Sequence, residues 1–265
     1  MLSEAKSAFV DLSISLRFSR DDDRFIKSQV KPATFLCKKM NLAEHYHKLY
    51  TESIAKIAAG NHETDHLIDS DTDRRFGITL VIRPDVATKD KIQQFLTEAK
   101  AIEPEQYYYQ HADIHVTLMS IISCYEGFAL KDINIQDYIQ LIQQVLARHQ
   151  RFKIQFKGLT ASPSCILIQG FLTDTLNEIR DDLRAAFKNS DLQQSIDKRY
   201  AIQTAHATVI RFRSELKNKE PLIDLLEKYR NFNFGTFEVK QVELVYNDWY
   251  QRERFVKKLH VFKLG

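Results

Sequence analysis

"DIHVTLMSI", residues 113–121, is a largely hydrophobic, strand-like stretch that carries an imidazole and a hydroxyl two residues apart, His115 and Thr117. Successive side chains on a strand alternate between faces, so His115 and Thr117 look one way while Val116 and Leu118 look the other. A single histidine in an apolar strand is more often a packing or edge residue than a working one. A second stretch reverses that balance. "AHATVIRF", residues 205–212, repeats the pattern: His206-Ala207-Thr208-Val209 matches His115-Val116-Thr117-Leu118.

The neighbourhoods of the two motifs repeat as well. Strand "GITLVI" (77–82), an amphipathic helix in "TKDKIQQFLTEAKAI" (88–102) and the His115 strand form one half. Strand "CILIQGF" (165–171), a helix in "TDTLNEIRDDLRAAFKNS" (173–190) and the His206 strand form the other. Between and after them, "DINIQDYIQLIQQVLARH" (132–149) and "LKNKEPLIDLLEKYRN" (216–231) have helical spacing. "FKIQFKGLTASPSCILIQGF" (152–171) reads as two strands around a Ser-Pro-Ser turn, and "TFEVKQVELVY" (236–246) with "RFVKKLHVFKL" (254–264) as a closing strand pair. The order predicts an α+β protein of two similar lobes facing each other.

The N-terminal part divides differently. Residues 1–39 mix charge with isolated apolar residues in no sustained period, which predicts a poorly ordered arm, and Met40 is the expected native start, a point that mass spectrometry of the N-terminus checks. Residues 40–75 read as a helix and a polar loop. Asn41 caps the helix, Glu44 completes a capping box, Gly60 ends it, and Leu42, Tyr46, Leu49, Tyr50, Ile54 and Ile57 form its stripe. Residues 76–265 make up the bilobal part.

Composition narrows the function classes. The chain has 265 residues, 44% hydrophobic and 28% charged, and a net charge of +3, which admits an anionic ligand but is far from a basic stripe for duplex DNA. Its three cysteines are scattered and form no CxxC pair, as in a reducing compartment. There is no membrane-spanning run and no secretory signal, so the expected location is the cytoplasm, without membrane partners, and the expected state a monomer.

Two histidines with paired hydroxyls suit the cleavage of a phosphodiester. One group must take a proton from the attacking oxygen and another must give one to the leaving oxygen. Imidazole does either near neutral pH, each role contributing roughly 10²–10⁴ in rate. Thr117 and Thr208 point the same way as the histidines and can donate to non-bridging phosphate oxygens. This chemistry needs no metal and no cofactor, and the sequence offers no convincing metal site.

The motifs resemble the two H-x-[ST]-hydrophobic signatures of the 2H phosphoesterase superfamily, which includes RNA 2′,3′-cyclic phosphodiesterases, 2′-5′ RNA ligase-like proteins and 2′,5′-oligoadenylate phosphodiesterases. The resemblance covers about residues 76–265. It implies a bilobal fold with antiparallel sheets flanking a central cleft, and a metal-independent phosphoric diester hydrolase acting on 2′,3′-cyclic or 2′-5′ bonds of nucleotides or RNA ends. His115 and His206 carry over as catalytic residues, Thr117 and Thr208 as substrate-binding ones. Some relatives have arginine five residues after the second histidine, and Arg211 stands there, with Ser120 at the corresponding place in the first half. Alternation with Ile210 gives Arg211 an equal claim to solvent or to a carboxylate.

Other residues have simpler readings beside the functional one. Tyr109 in "YYYQH" (107–111) and Tyr246 in "VYNDWYQ" (245–251) are candidates for stacking on a base, Trp249 less so, though each is as easily a packing residue. "HETDH" (62–66) matches the zinc-protease pattern HExxH, but its setting is a polar loop and not a helix. His45 and His47 are expected to be solvated on different faces of the first helix. A rival function is a nucleotide- or RNA-binding module that keeps the cleft without turnover.

Overall fold

The computed structural model describes residues 41–265 except 173, 199 and 200. The expectations for the arm and for a start at Met40 therefore lie outside the described residues. Helix α1 (Leu42–Ala58) begins where the sequence places it: the Asn41 side chain accepts from the Glu44 N–H at 3.3 Å. Gly60, at φ +74°, turns the chain away after its end.

Strand β1 (Arg75–Ile82), helix α2 (Val86–Ile102), a short β2 (Tyr107–Tyr108) and β3 (Val116–Glu126) complete the first half. After α3 (Ile135–Leu146) come β4 (Phe152–Ser162), β5 (Cys165–Leu172), α4 (Thr175–Lys188) and β6 (Ala207–Arg211). Helix α5 (Lys219–Lys228) leads to β7 (Asn233–Val239), β8 (Gln241–Asp248) and β9 (Lys257–Lys263). Two antiparallel sheets result, ordered β3-β1-β8-β9 and β2-β6-β5-β4-β7.

The repeat read from the sequence is present: β1-α2-β3 and β5-α4-β6 each pair their two strands directly. The helices, however, trade places. Helix α2 packs on β6 and β7 of the second sheet, and α4 packs on α3 and on β3 of the first. Each half thus covers its partner's strands, and this brings the two motif strands together.

One expected strand divides. Residues 236–246 form parts of β7 and β8, which lie in different sheets and are separated by Lys240 alone. The sequence carried a trace of this, because the buried positions slip from Phe237 and Val239 to Val242 and Leu244. A strand that stays in one sheet keeps its period of two.

Helix α1 is bound into the second lobe. It lies against β4 and α5: the Thr160 hydroxyl donates to Tyr46 O at 3.0 Å, and the Tyr50 hydroxyl to Glu227 Oε1 at 2.7 Å. Leu49 meets Cys165 and Leu167 of β5. Among the described residues, no helix is long and apolar enough to cross a membrane.

Candidate functional site

His115 and His206 hold equivalent places, each one residue before its strand begins. Both are half-buried, and so are Thr117 and Thr208, while Val116, Leu118, Ala207 and Val209 are buried, as the alternation predicted. A feature the sequence did not show follows in each strand. Thr117 pairs with Val81 but Met119 with Leu80, so Leu118 is an extra residue in β3. Thr208 pairs with Leu167 but Ile210 with Ile166, so Val209 is an extra residue in β6. A bulge shifts the phase of everything beyond it. Ser120 therefore faces Thr79, on the Val81 side, and joins Thr117; Arg211 faces Cys165, on the Leu167 side, and joins His206 and Thr208. On a regular strand, five residues from the histidine, Arg211 would have turned away.

The imidazoles are anchored through Nδ1. His115 Nδ1 lies 2.7 Å from the Asp113 carbonyl oxygen, and His206 Nδ1 lies 2.7 Å from Thr204 Oγ1. Neither Nε2 has a hydrogen-bond partner among the described residues. Both pKa values fall well below the ordinary histidine value, His115 to about 3 and His206 to about 4. Burial is the first cause in each. For His115 the Arg83 cation is next, with His206 and Arg211 adding to it; for His206 it is Arg180, then Arg211 and His45. The charge of His206 is thus felt at His115.

Arg180 of α4 ties the motif strands together. It is fully buried, and its guanidinium donates to Leu118 O (2.9 Å), Thr117 O (3.0 Å) and Thr204 O (2.8 Å). Burial, then the neighbouring Arg184 charge, pulls its pKa down to about 10, still charged at neutral pH. Arg211 is held by the Tyr109 hydroxyl at 3.0 Å, by Asp65 at 3.7 Å and over the Tyr250 ring at 5.5 Å. Those partners outweigh its burial and raise its pKa. Arg83 donates to the carbonyls of Ala112 (3.1 Å) and Asp113 (3.3 Å), fixing the segment that holds His115.

The two candidate tyrosines are placed differently from a stacking platform. Tyr109 is 2% exposed and spends its hydroxyl on Arg211, so it presents no open face. Tyr246 pairs with Ile78, three residues along β1 from the Val81 that faces Thr117. The β1–β8 register is continuous there, which puts Tyr246 on the sheet's other face, stacked on Phe76 at 5.1 Å. Trp249 lies under the Arg75 guanidinium, 4.8 Å from its ring centroid.

The HExxH look-alike is not on an α-helix. Its Asp65 N–H donates to Phe212 O at 2.7 Å, and the His62 side chain, 1% exposed, packs edge-on against Phe212. Its contribution to the site is Asp65, beside Arg211. Among the described residues, no group of three or more His, Cys, Asp or Glu is placed to hold a metal ion.

A family model described as the 2′-5′ RNA ligase superfamily matches residues 88–250, more than half of the chain and both motifs. The chain belongs to that superfamily. A search of curated proteins finds no match. Solved structures of similar fold include a protein of Thermus thermophilus, 12% identical over 71% of this chain and 97% of that one, with a TM-score of 0.49. Another is Escherichia coli LigT complexed with 3′-AMP, 12% identical over 72% of this chain and 99% of that one, with a TM-score of 0.45. A third is a conserved protein of unknown function from Agrobacterium tumefaciens, 15% identical over 80% of this chain and 97% of that one, with a TM-score of 0.48.

Around the superfamily's two motifs the sequence reading missed Arg180, Arg83, Thr204 and Tyr46. Arg180 lies within "RDDLR" (180–184), and nothing local marks a side chain that a distant strand will bury. His45 is not solvated as its place on the helix suggested. This residue is half-buried, with its Nε2 shielded and unpartnered among the described residues and its ring 5.9 Å from Tyr46. Burial, then Lys48, lowers its pKa. The periodicity placed it beside the buried stripe but could not show that the second sheet would cover that edge.

Proposed function

We propose that this superfamily member is a phosphodiesterase that hydrolyses 2′,3′-cyclic or 2′-5′ phosphodiester bonds of nucleotides or RNA ends, with His115 and His206 as its acid–base pair. The observation that carries this is the duplicated arrangement: two imidazoles anchored through Nδ1 on paired strand starts, each with Nε2 left for a ligand. In hydrolysis, one Nε2 takes a proton from water as its oxygen attacks phosphorus. The other gives a proton to the oxygen whose bond to phosphorus breaks. The Thr117 and Thr208 hydroxyls and the Arg211 cation stabilise the charge that gathers on the non-bridging oxygens. In the free protein both imidazoles are neutral at pH 7. An arriving phosphodiester anion offsets the Arg180 and Arg211 charges and raises their pKa values, which lets one imidazole enter the reaction protonated.

The test is turnover of 2′,3′-cyclic mononucleotides and 2′-5′-linked oligomers in EDTA. Activity should survive the chelator, and His115→Ala and His206→Ala should each lower kcat by roughly 10²–10⁴. Loss of activity in EDTA would overturn the metal-independent part. Binding without turnover across the whole panel would favour the binding-module reading instead.

A further inference from the structure

The two halves differ in how they hold their histidines, and the difference has chemical content. Asp113 and Thr204 stand at the same position, two residues before the histidine. In the first half the partner of Nδ1 is the Asp113 carbonyl, which can only accept. Neutral His115 therefore carries its proton on Nδ1, and its Nε2 is a lone pair. In the second half the equivalent carbonyl, that of Thr204, accepts from Arg180 at 2.8 Å, and the side-chain hydroxyl meets Nδ1 in its stead. A hydroxyl can donate or accept.

Tyr46 completes the arrangement. Its ring is 1% exposed, and its hydroxyl accepts from Gly170 N–H (3.3 Å) and donates to Gly170 O (3.2 Å). The Thr204 hydroxyl and the Ala205 backbone are polar neighbours of the same oxygen. Thr204, 3% exposed, is closed off from water, so its proton turns to a protein neighbour, and the two on this side are His206 Nδ1 at 2.7 Å and the Tyr46 hydroxyl. Turned toward Tyr46, Thr204 accepts from Nδ1–H and leaves the His206 Nε2 bare. Turned toward Nδ1, it leaves neutral His206 with its proton on Nε2. Gly170 is required for this approach, since a Cβ there would stand 2.0 Å from Ala205 O.

We propose that Thr204 is a positioning residue for His206, oriented by Tyr46 of α1, and that its hydroxyl lets His206 hold a proton on either ring nitrogen, a freedom His115 lacks. The proposal rests on the phosphodiesterase reading for its kinetic consequence but not for its structural one. Tyr46 also lies before residue 88, where the superfamily match begins, so this control comes from the N-terminal helix.

Nitrogen-15 NMR of the imidazoles in the free protein tests the structural part. His115 should show the Nδ1–H form alone, and His206 a mixture of both forms. Tyr46→Phe, which removes the competing acceptor, should shift His206 toward Nε2–H. Thr204→Val should change the ratio and Thr204→Ser restore it. In turnover, Thr204→Val should lower kcat at least ~10-fold, and by no more than the ~10²–10⁴ that the whole acid–base group supplies, with KM nearly unchanged and Thr204→Ser recovering the rate. A His206 ratio indifferent to both the Tyr46 and Thr204 variants overturns the proposal, as does serine behaving like valine. If the wild type turns over no phosphodiester, the phosphodiesterase reading fails while the NMR result still decides the role of Thr204.

Discussion

At the residue scale, the two imidazoles make the fold itself sensitive to acid. The unfolded chain protonates its histidines near pH 6.5, while the folded protein resists until about 4 at His206 and about 3 at His115. Between those values the unfolded state binds more protons, so stability is complete above about pH 6.5 and falls as the pH drops through this window. Each such histidine contributes at most about 1.4 kcal/mol per pH unit. Denaturant unfolding at pH 7 and pH 4.5 checks this: the wild type should lose more stability over that interval than His115→Leu. The carboxylates common to both proteins cancel in the comparison, and equal losses would contradict the buried, neutral imidazole.

At the scale of elements, the decisive contact is between α4 and the two motif strands. Arg180 supplies the donors for three carbonyls that belong to two different halves. Arg180→Met keeps the apolar stem and leaves those acceptors without a partner. At about 1–3 kcal/mol for each buried group left unsatisfied, the expected cost is on the order of 3 kcal/mol or more, together with lower kcat. Arg180→Lys should recover little of either, since one ammonium cannot reproduce a planar fork across diverging strands. The paired bulges belong to this scale too. They aim Arg211 and Ser120 at the shared face, and neither Leu118 nor Val209 announces itself as an extra residue.

Across the whole molecule, the N-terminal helix is part of the second lobe and, through Tyr46, part of the site. Leu49 fills the contact with Cys165 and Leu167 beneath it. Leu49→Asp would bury an unpaired carboxylate there, at an expected cost of about 2–4 kcal/mol. Amide exchange should then show α1 opening while β1 and β3 stay protected, and activity should fall with the helix. Unchanged exchange in α1 would mean that other contacts, such as Tyr50 with Glu227 and Arg230, suffice to hold it.

The sequence alone determined the α+β class, the element order, the duplicated β-α-β units and the two histidine–threonine pairs. These depend on local periodicity and on residue types that chemistry demands, and both are written along the chain. Helix α1 was legible down to its Asn41 cap for the same reason. The tertiary structure decided the rest: the exchange of α2 and α4 between lobes, the phase shift that turns Arg211 inward, the burial of Arg180 and His45, and the withdrawal of Tyr246 to the far face. Each depends on which surface a distant element covers. The histidine of "DIHVTLMSI" was visible from its own strand, but what fixes its proton, and what frees that of its counterpart, required the folded chain.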